Sequence, residues 1–552
     1  MSPHTVEQRR ELGAFYTPRD LSQVLTDWAV RSPTDHVLEP SFGGCGFLES
    51  LTESLSLVGC DDPARHIYGA DIDAHAFHCL SEKMGGLTRV GDNRFIHRDF
   101  LKIYPSDFSY KQFNVVIGNP PYVSLHNMSQ SQRESCFDML RKSSLYGGSI
   151  GRNASLWAFF ILHALSFLKD GGRTAWVLPS SLLHADYARA VLDIYRGFFK
   201  KIKVIKLKER FFRDAGTDEV SVILLAEGFK KENDGLCDIS FGVADDVNSL
   251  KKLAFELCNK VVFDNYKYSI LSKDCLSLFF DLQKQPGTTT LGELAKVVIG
   301  MVTGDNNTFI IDNVAKCDFS ISEHDIRPVV SKFSQLTGIF HNKARHEKLI
   351  IKNERCLLVC PSDLSKNGSG VRSYLSRVDR KKRKTNRTFP KRKWWFHPDD
   401  GLYPDAFLSY MIHKGPRLVI NSSNINCTNS IHRVFFKNKL NLNKKKAIAC
   451  SMLSSFTQLS SEIEGRAYGS GVLKLEPKSA KNTCLIMDDN VLTSLIKRAA
   501  DVDHLLVNDG FDVASKLVDE IIAEALDIPS AVFDEFRVAV DALRNERYNN
   551  FV

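Results

Sequence analysis

Early in the chain, apolar runs separated by helical segments end, one after another, on polar residues. Val37-Leu38 runs into Glu39, and His66 to Ala70 ends at Asp71. Arg94 to His97 leads to Arg98-Asp99-Phe100, and Phe113-Asn-Val-Val-Ile-Gly118 stops at Asn119-Pro120-Pro121-Tyr122, where two prolines cannot continue a ladder. Strands joined through helices lie parallel, and a parallel sheet is buried on both faces, so its strands read as continuous rather than alternating apolar runs. The pattern therefore predicts an α/β fold with three acids and an asparagine gathered on one sheet edge. In open α/β sheets, ligands bind at the carboxyl ends of the strands.

The residues closing the fourth run suit the activation of an exocyclic amine. Such an amine on a planar base or amide is a poor nucleophile because its lone pair is delocalised. Two acceptors taking its N–H bonds would localise that pair. The Asn119 side-chain oxygen is one candidate, and the Pro120 carbonyl, on a backbone stiffened by two fixed φ angles, is the other. Tyr122 offers a flat face to an unstacked base. This chemistry needs no metal.

The strand ends before it complete a binding edge. Val37 to Leu48 (VLEPSFGGCGFL) reads as strand, glycine-rich turn and helix, with Glu39 placed to hold a ligand's amine or hydroxyls. Asp71 stands where a ribose diol is held in dinucleotide-type folds. Asp99 is placed to accept from an adenine amine, with Phe100 packed on the ring. Further on, Asn153 to Leu168 reads as an apolar helix ended by Asp170-Gly171-Gly172, followed by a strand over Arg173 to Leu178, a helix over about 182–200, and strands over Ile202 to Leu207 and Val220 to Ala226. Between these last two strands lie the adjacent aromatics Phe211 and Phe212.

Composition limits the alternatives. The chain has 552 residues, 43% hydrophobic and 25% charged, enough for two or more domains with sizeable cores. It contains no apolar stretch long enough to span a membrane, and its first 30 residues lack a signal-peptide core, so a cytoplasmic protein is expected. The 13 cysteines are scattered and show no zinc-type spacing, which predicts reduced thiols and no metal site. A net charge of +8 permits nucleic-acid binding without requiring it.

Over about residues 13–227 the chain resembles the γ-class, TaqI-like DNA adenine-N6 methyltransferases, in which an FYTP-type segment (here Phe15-Tyr16-Thr17-Pro18) precedes the glycine-rich turn and NPPY follows. The resemblance implies a class I S-adenosylmethionine-dependent methyltransferase (Rossmann-like) catalytic domain. It implies a cofactor pocket lined by Thr17, Glu39, Pro40, Ser41, Gly43, Asp71, Ile72, Asp99, Phe100, Asn119 and Pro121, with Phe160 near the cofactor's adenine. Asn119, Pro120, Pro121 and Tyr122 would hold a flipped adenine, with Phe212 stacking from the other side; the choice between Phe211 and Phe212 stays open. Cys45 departs from the pattern, standing where a glycine of the turn is usual.

Downstream, Val297 to Ile311 (VVIGMVTGDNNTFII) and Ala467 to Pro477 resemble the two ends of the target-recognition region in related adenine methyltransferases. Between them, residues 377–393 carry a dense basic run in which Asp379 is the only acid, followed by Trp394-Trp395-Phe396. Lys381, Lys382, Arg383, Lys384, Arg392, Lys393 and Trp394 are the candidate DNA contacts. Lys414, Arg417, Asn421 and residues 424–429 are candidates for base-edge contacts.

The organisation expected is a catalytic domain over 1–232, a connecting segment over 233–285, an α+β target-recognition domain over 286–485 and a helical C-terminal segment over 486–552. The expected activity is site-specific methylation of adenine N6 in duplex DNA by S-adenosylmethionine, with base flipping, in a restriction-modification or phage-defence system. The expected partners are double-stranded DNA and a cognate restriction endonuclease or other defence component. The competing readings are a protein-glutamine N5 methyltransferase, which shares NPPY, and a DNA-binding modification subunit served by a separate specificity partner.

Overall fold

A computed structural model describes residues 17–85, 93–142, 150, 154–183, 185–208, 221–231, 235–256, 265–364, 369–468 and 471–549. The chain divides after Ser269 into two compact units.

The first unit is built on one eight-stranded sheet. Its strands are β1 (Val37–Glu39), β2 (Ile67–Asp71), β3 (Phe95–His97), β4 (Phe113–Gly118), β5 (Leu168–Pro179), β6 (Lys201–Leu207), β7 (Ser221–Glu227) and β8 (Ile239–Ala244), in the order β3-β2-β1-β4-β5-β7-β6-β8. All neighbouring pairs are parallel except those that β7 makes with β5 and β6. This is the class I S-adenosylmethionine-dependent methyltransferase arrangement. The order runs outward from β1 to one side and from β4 to the other, which makes the β1/β4 boundary a topological switch point, where a ligand crevice opens in such sheets.

Every residue of β4 is buried, because helices cover both faces of the sheet. The β4 side chains enter two different cores. Val115 and Ile117 join one with Leu21, Trp28, Leu48 and Leu80 from α1 (Arg19–Ala29), α2 (Gly46–Leu57) and α3 (Ala74–Met84). Phe113 and Val116 join the other with Cys136, Trp157 and Tyr195 from α4 (Gln130–Lys142), α5 (Leu156–Ala164) and α6 (Asp186–Phe198). At about 1.5–3 kcal/mol for each fully buried large apolar side chain, these two layers supply the main stabilisation of the unit. In α5 all nine residues are buried, as expected of a helix that is apolar on every side.

Two expectations need correction. Asp170-Gly171-Gly172 does not end the apolar helix, which stops at Ala164; these residues form the irregular start of β5, where pairing jumps from Phe113 with Leu168 to Val115 with Arg173. The segment 233–285 is not a plain connection. β8 lies parallel to β6, the following helix α7 (Val247–Phe255) packs its Leu250 and Ala254 into the first unit's core, and Lys273–Lys284 belongs to the second unit. The charged stretch after Gly228 resembles a domain exit because its alternation of apolar residues resumes only beyond it.

The second unit carries a five-stranded sheet ordered Ala295–Ile299, Ile431–Phe436, Ala406–Ser409, Leu418–Asn421 and Phe340–His341. It ends in the helices Asp489–Asn508, Phe511–Leu526 and Ala531–Asn549. Ion pairs tie these helices to the rest of the unit: the buried Arg547 with Glu462 at 3.1 Å and the part-buried Arg345 with Asp503 at 2.6 Å. The C-terminal helices are therefore part of the second unit's core rather than a separate appendage.

Candidate active site

At the β1/β4 switch point a cavity of about 420 Å³ opens, within the usual range for small-molecule sites of roughly 300–1,000 Å³. Every position expected from the resemblance to line a cofactor pocket does line it: Thr17, Glu39, Pro40, Ser41, Gly43, Asp71, Ile72, Asp99, Phe100, Asn119, Pro121 and Phe160. Pro120 is buried beside it and Tyr122 is half-buried against the apolar core. Phe211 and Phe212 lie outside the described residues.

The strand ends set the chemistry of this cavity. Glu39 is 2% exposed, and its Oε2 is buried with no hydrogen-bond partner. Burial, with the nearby Asp71 charge adding to it, pushes its carboxyl well above the usual range. Asp71 accepts from the Gly43 amide at 2.9 Å and the Asp73 amide at 2.8 Å, so it braces the glycine-rich turn as well as facing the cavity. Burial raises its pKa too, although those backbone bonds oppose the shift. Asp99 caps the short helix that follows it, accepting from Leu101 N at 3.1 Å, and Phe100 packs against Phe160 and His163 with ring centroids 5.4 and 4.9 Å apart.

Glu39, with its orphan buried oxygen, and Asp71 line a largely apolar cavity and can accept from a ligand's donors. A ligand bearing an ammonium group, a ribose diol and an adenine ring supplies them, so the residues present fit S-adenosylmethionine. The Cys45 departure does not oppose this. Cys45 adopts the left-handed conformation usual for glycine, φ 67°, and its side chain is fully buried in the core with Leu48 and Leu51.

At the mouth of β4, Asn119 Nδ2 donates to Thr17 Oγ1 at 3.1 Å, and the Asn119 carbonyl accepts from Ser41 Oγ at 3.2 Å. The first loop, the glycine-rich turn and the NPPY turn are thereby tied together around the asparagine.

The sequence reading missed several contributors. Lys83 donates to the Gly44 carbonyl at 3.1 Å and pairs with Glu49 at 3.3 Å, bracing the turn from α3. His75, Cys79 and Lys83 share one face of α3 at i, i+4 and i+8, with Cys79 Sγ 3.3 Å from His75 Nε2. That spacing after Asp73 was the available signal. His163 holds the loop after β3 through the Ile103 carbonyl at 2.8 Å, and burial lowers its pKa.

In the second unit, several expected DNA contacts turn out to serve the fold. Asp379 caps the helix Arg380–Thr385, and Lys382 is paired with Asp305 at 2.6 Å. Arg383 lies over Trp395, 4.3 Å from its ring centroid, and donates to the Val378 carbonyl at 2.9 Å. Arg392 donates to the Val302 carbonyl. Arg417 bonds the Leu336 and Gly338 carbonyls at 2.9 Å, and burial pulls its pKa down to about 10. Asn421 and Asn426 are likewise spent on Pro404, Ile425, Asp399 and Asp400, and Lys414 on Asp512. Lys381, Lys384, Lys393 and Trp394 remain exposed.

Comparison with known proteins agrees with this geometry. The N-6 DNA Methylase family profile matches residues 1–261, and that of the Type II methyltransferase M.Eco57I C-terminal domain matches residues 264–523. The chain is 22% identical over 541 residues to the Type II methyltransferase M.AccI of Acinetobacter calcoaceticus, covering 94% of both chains. It is 22% identical over 326 residues to the Type II methyltransferase M.HindII of Haemophilus influenzae, covering 55% of this chain and 56% of the relative. Among solved structures, the Type IIL restriction-modification enzyme MmeI in complex with DNA shares the fold with a TM-score of 0.55 at 12% identity, covering 98% of this chain and 80% of MmeI. A nuclease-deletion mutant of the Type ISP enzyme LlaGI matches with a TM-score of 0.51 at 11% identity, covering 90% of this chain and 47% of that one.

Proposed function

The chain belongs to the N6-adenine DNA methyltransferase family, and on that premise we propose that the cavity of its first unit holds S-adenosylmethionine while the Asn119-Pro120-Pro121-Tyr122 turn holds an adenine turned out of the duplex. Its activity is methylation of adenine N6 in DNA, as the modification arm of a restriction-modification system. The match to the N-6 DNA Methylase profile disfavours a protein-glutamine substrate.

S-adenosylmethionine supplies an electrophilic methyl group when bound. Glu39 accepts from its ammonium, Asp71 from its ribose hydroxyls and Asp99 from its adenine amine, while Phe100 and Phe160 form an apolar wall. Asn119 Oδ1 and the Pro120 carbonyl accept the two N–H bonds of the target amine, and Tyr122 packs on the base. Aiming two preorganised acceptors at one nitrogen places charge stabilisation where positive charge develops during transfer. The observation that supports this most directly is that Glu39, with its orphan buried oxygen, and Asn119 line one cavity at the switch point. Phe212 is the proposed second stacking residue.

The second unit chooses the DNA sequence, with the exposed Lys381, Lys384 and Lys393 meeting phosphates. A cognate restriction endonuclease is the proposed partner in the cytoplasm. Among the described residues, no helix is long and apolar enough to cross a membrane. Methylation-aware sequencing of DNA from cells expressing the protein tests the function: N6-methyladenine at one short motif is expected, and its absence would reject the reading.

A further inference from the structure

The second unit displays large apolar side chains where a folded domain normally hides them. Ile299 is 48% exposed, Val302 50%, Trp394 50% and Leu402 53%. Ile299 and Val302 flank the buried pair Gly300-Met301, and their backbone is fixed in place. A Cβ on Gly300 would lie 2.1 Å from the Thr428 carbonyl oxygen, so the two segments meet backbone to backbone. Met301 N donates to the Cys427 carbonyl at 2.8 Å.

Buried and half-buried arginines pin the outer residues. Arg433, 5% exposed, donates from Nε to the Ile299 carbonyl at 3.2 Å and from one terminal nitrogen to the Leu402 carbonyl at 3.2 Å, while Asp400 balances its charge at 2.8 Å. Arg392 holds the Val302 carbonyl, and Trp394 stacks on Phe396 with centroids 5.8 Å apart. Exposed aliphatic groups on so rigid a support are unlike the scattered apolar residues of an ordinary surface.

The surrounding charge selects the occupant. Lys391 and Lys393, on either side of Arg392, are exposed. Of the nearby acids, Asp305 is paired with Lys382 and Asp400 with Arg433, while Asp399 accepts from the neutral Tyr403 and Asn426. Arg392 and Arg433 thus draw together the segments that carry these exposed apolar side chains, with lysines beside them, a combination that suits a polyanion. Proteins that distort duplex DNA insert apolar side chains between base steps while cations hold the backbone.

We infer that Ile299 and Val302, backed by Leu402 and Trp394, form a wedge that enters the base stack of duplex DNA bound to the second unit. This rests on the reading of the chain as a DNA methyltransferase. It adds a way to offset the unstacking that base extrusion requires.

The test uses the full-length protein and a duplex that the wild type methylates. The double variant Ile299→Ser, Val302→Ser should bind that duplex about 10- to 100-fold more weakly. Its log-affinity against log-salt slope should be unchanged, because every cation that meets a phosphate is still present. Thymines in the duplex should become reactive to permanganate when the wild type binds and stay protected with the serine variant. Ile299→Leu with Val302→Ile should retain wild-type affinity and reactivity, which separates the wedge from a folding defect. Serine variants that bind and methylate within twofold of wild type would overturn the wedge, as would weaker binding accompanied by a flatter salt slope. Wild type assayed alongside reports on the methyltransferase function by itself, so the wedge can fail while the function stands.

Discussion

Asn119 Nδ2 donates to Thr17 Oγ1 at 3.1 Å, joining residues 102 positions apart. Thr17 holds the amide nitrogen, and Oδ1 is the atom proposed to accept from the target amine. Thr17→Val should therefore slow methyl transfer by about tenfold, the worth of one orienting hydrogen bond. Single-turnover kinetics checks this, with cofactor affinity expected to stay within about threefold of wild type. Transfer at the wild-type rate would show that Thr17 does not orient the amide.

Glu39 carries a cost that its function explains. A carboxyl whose pKa is raised on folding binds its proton more tightly in the folded state, so its contribution to stability falls as pH rises above its ordinary value of 4.5. Glu39→Gln should make the ligand-free protein more stable at pH 7.5 and leave it nearly unchanged at pH 4. Each ~1 kcal/mol gained raises the melting temperature by roughly 2–4 °C. The same variant should weaken S-adenosylmethionine binding by about tenfold or more, measured by calorimetry. Weaker binding without the pH-dependent stability gain would mean that the acid is not held under strain.

Lys381, Lys384 and Lys393 are exposed members of the basic run. Replacing all three with alanine should weaken binding to specific and unrelated duplexes alike. The log-affinity against log-salt slope should flatten by about 0.9 for each phosphate no longer neutralised by a lysine. The methylated sequence should stay the same; a changed motif would mean that these side chains read bases. Arg383→Ala should instead act on stability, because its guanidinium lies over Trp395.

The edge that lines the candidate site was readable because its signals are local. Glu39, Asp71 and Asn119 each end a continuous apolar run, and parallel pairing alone brings strand ends together. What could not be read depends on partners remote in sequence. Nothing around Arg417 announces that its guanidinium will satisfy carbonyls some 80 residues earlier, and nothing around Arg392 announces Val302. In a sequence, a cation spent on its own backbone looks like one offered to DNA. Strand β8 was missed for a similar reason: its hydrogen-bonding partner, β6, lies well upstream across a charged stretch.

The second unit contains a pair of buried histidines whose acid response follows from geometry. His341 Nε2 lies 3.2 Å from His346 Nδ1, and both rings are buried. Burial, with the neighbouring ring and Arg345 adding to it, lowers the His341 pKa from 6.5 to about 4. A histidine kept neutral by the fold takes up its proton more readily once unfolded, so its contribution to stability is complete above pH 6.5 and is lost as pH falls toward 4. The full loss amounts to roughly 3 kcal/mol. Thermal melts from pH 7 to pH 5 should show the decline, and His341→Leu should flatten it even if the variant is less stable throughout. An equally steep decline in that variant would assign the acid sensitivity to other groups.

The most direct test of the central claim is mass spectrometry of nucleosides from duplex DNA incubated with S-adenosylmethionine and either wild type or Asn119→Ala. Wild type should produce N6-methyladenine. Removing one of two preorganised acceptors should reduce its formation by about 10²–10³-fold while cofactor affinity changes little. A methylated base other than N6-methyladenine, or an Asn119→Ala variant keeping more than about a tenth of wild-type turnover, would contradict the assignment.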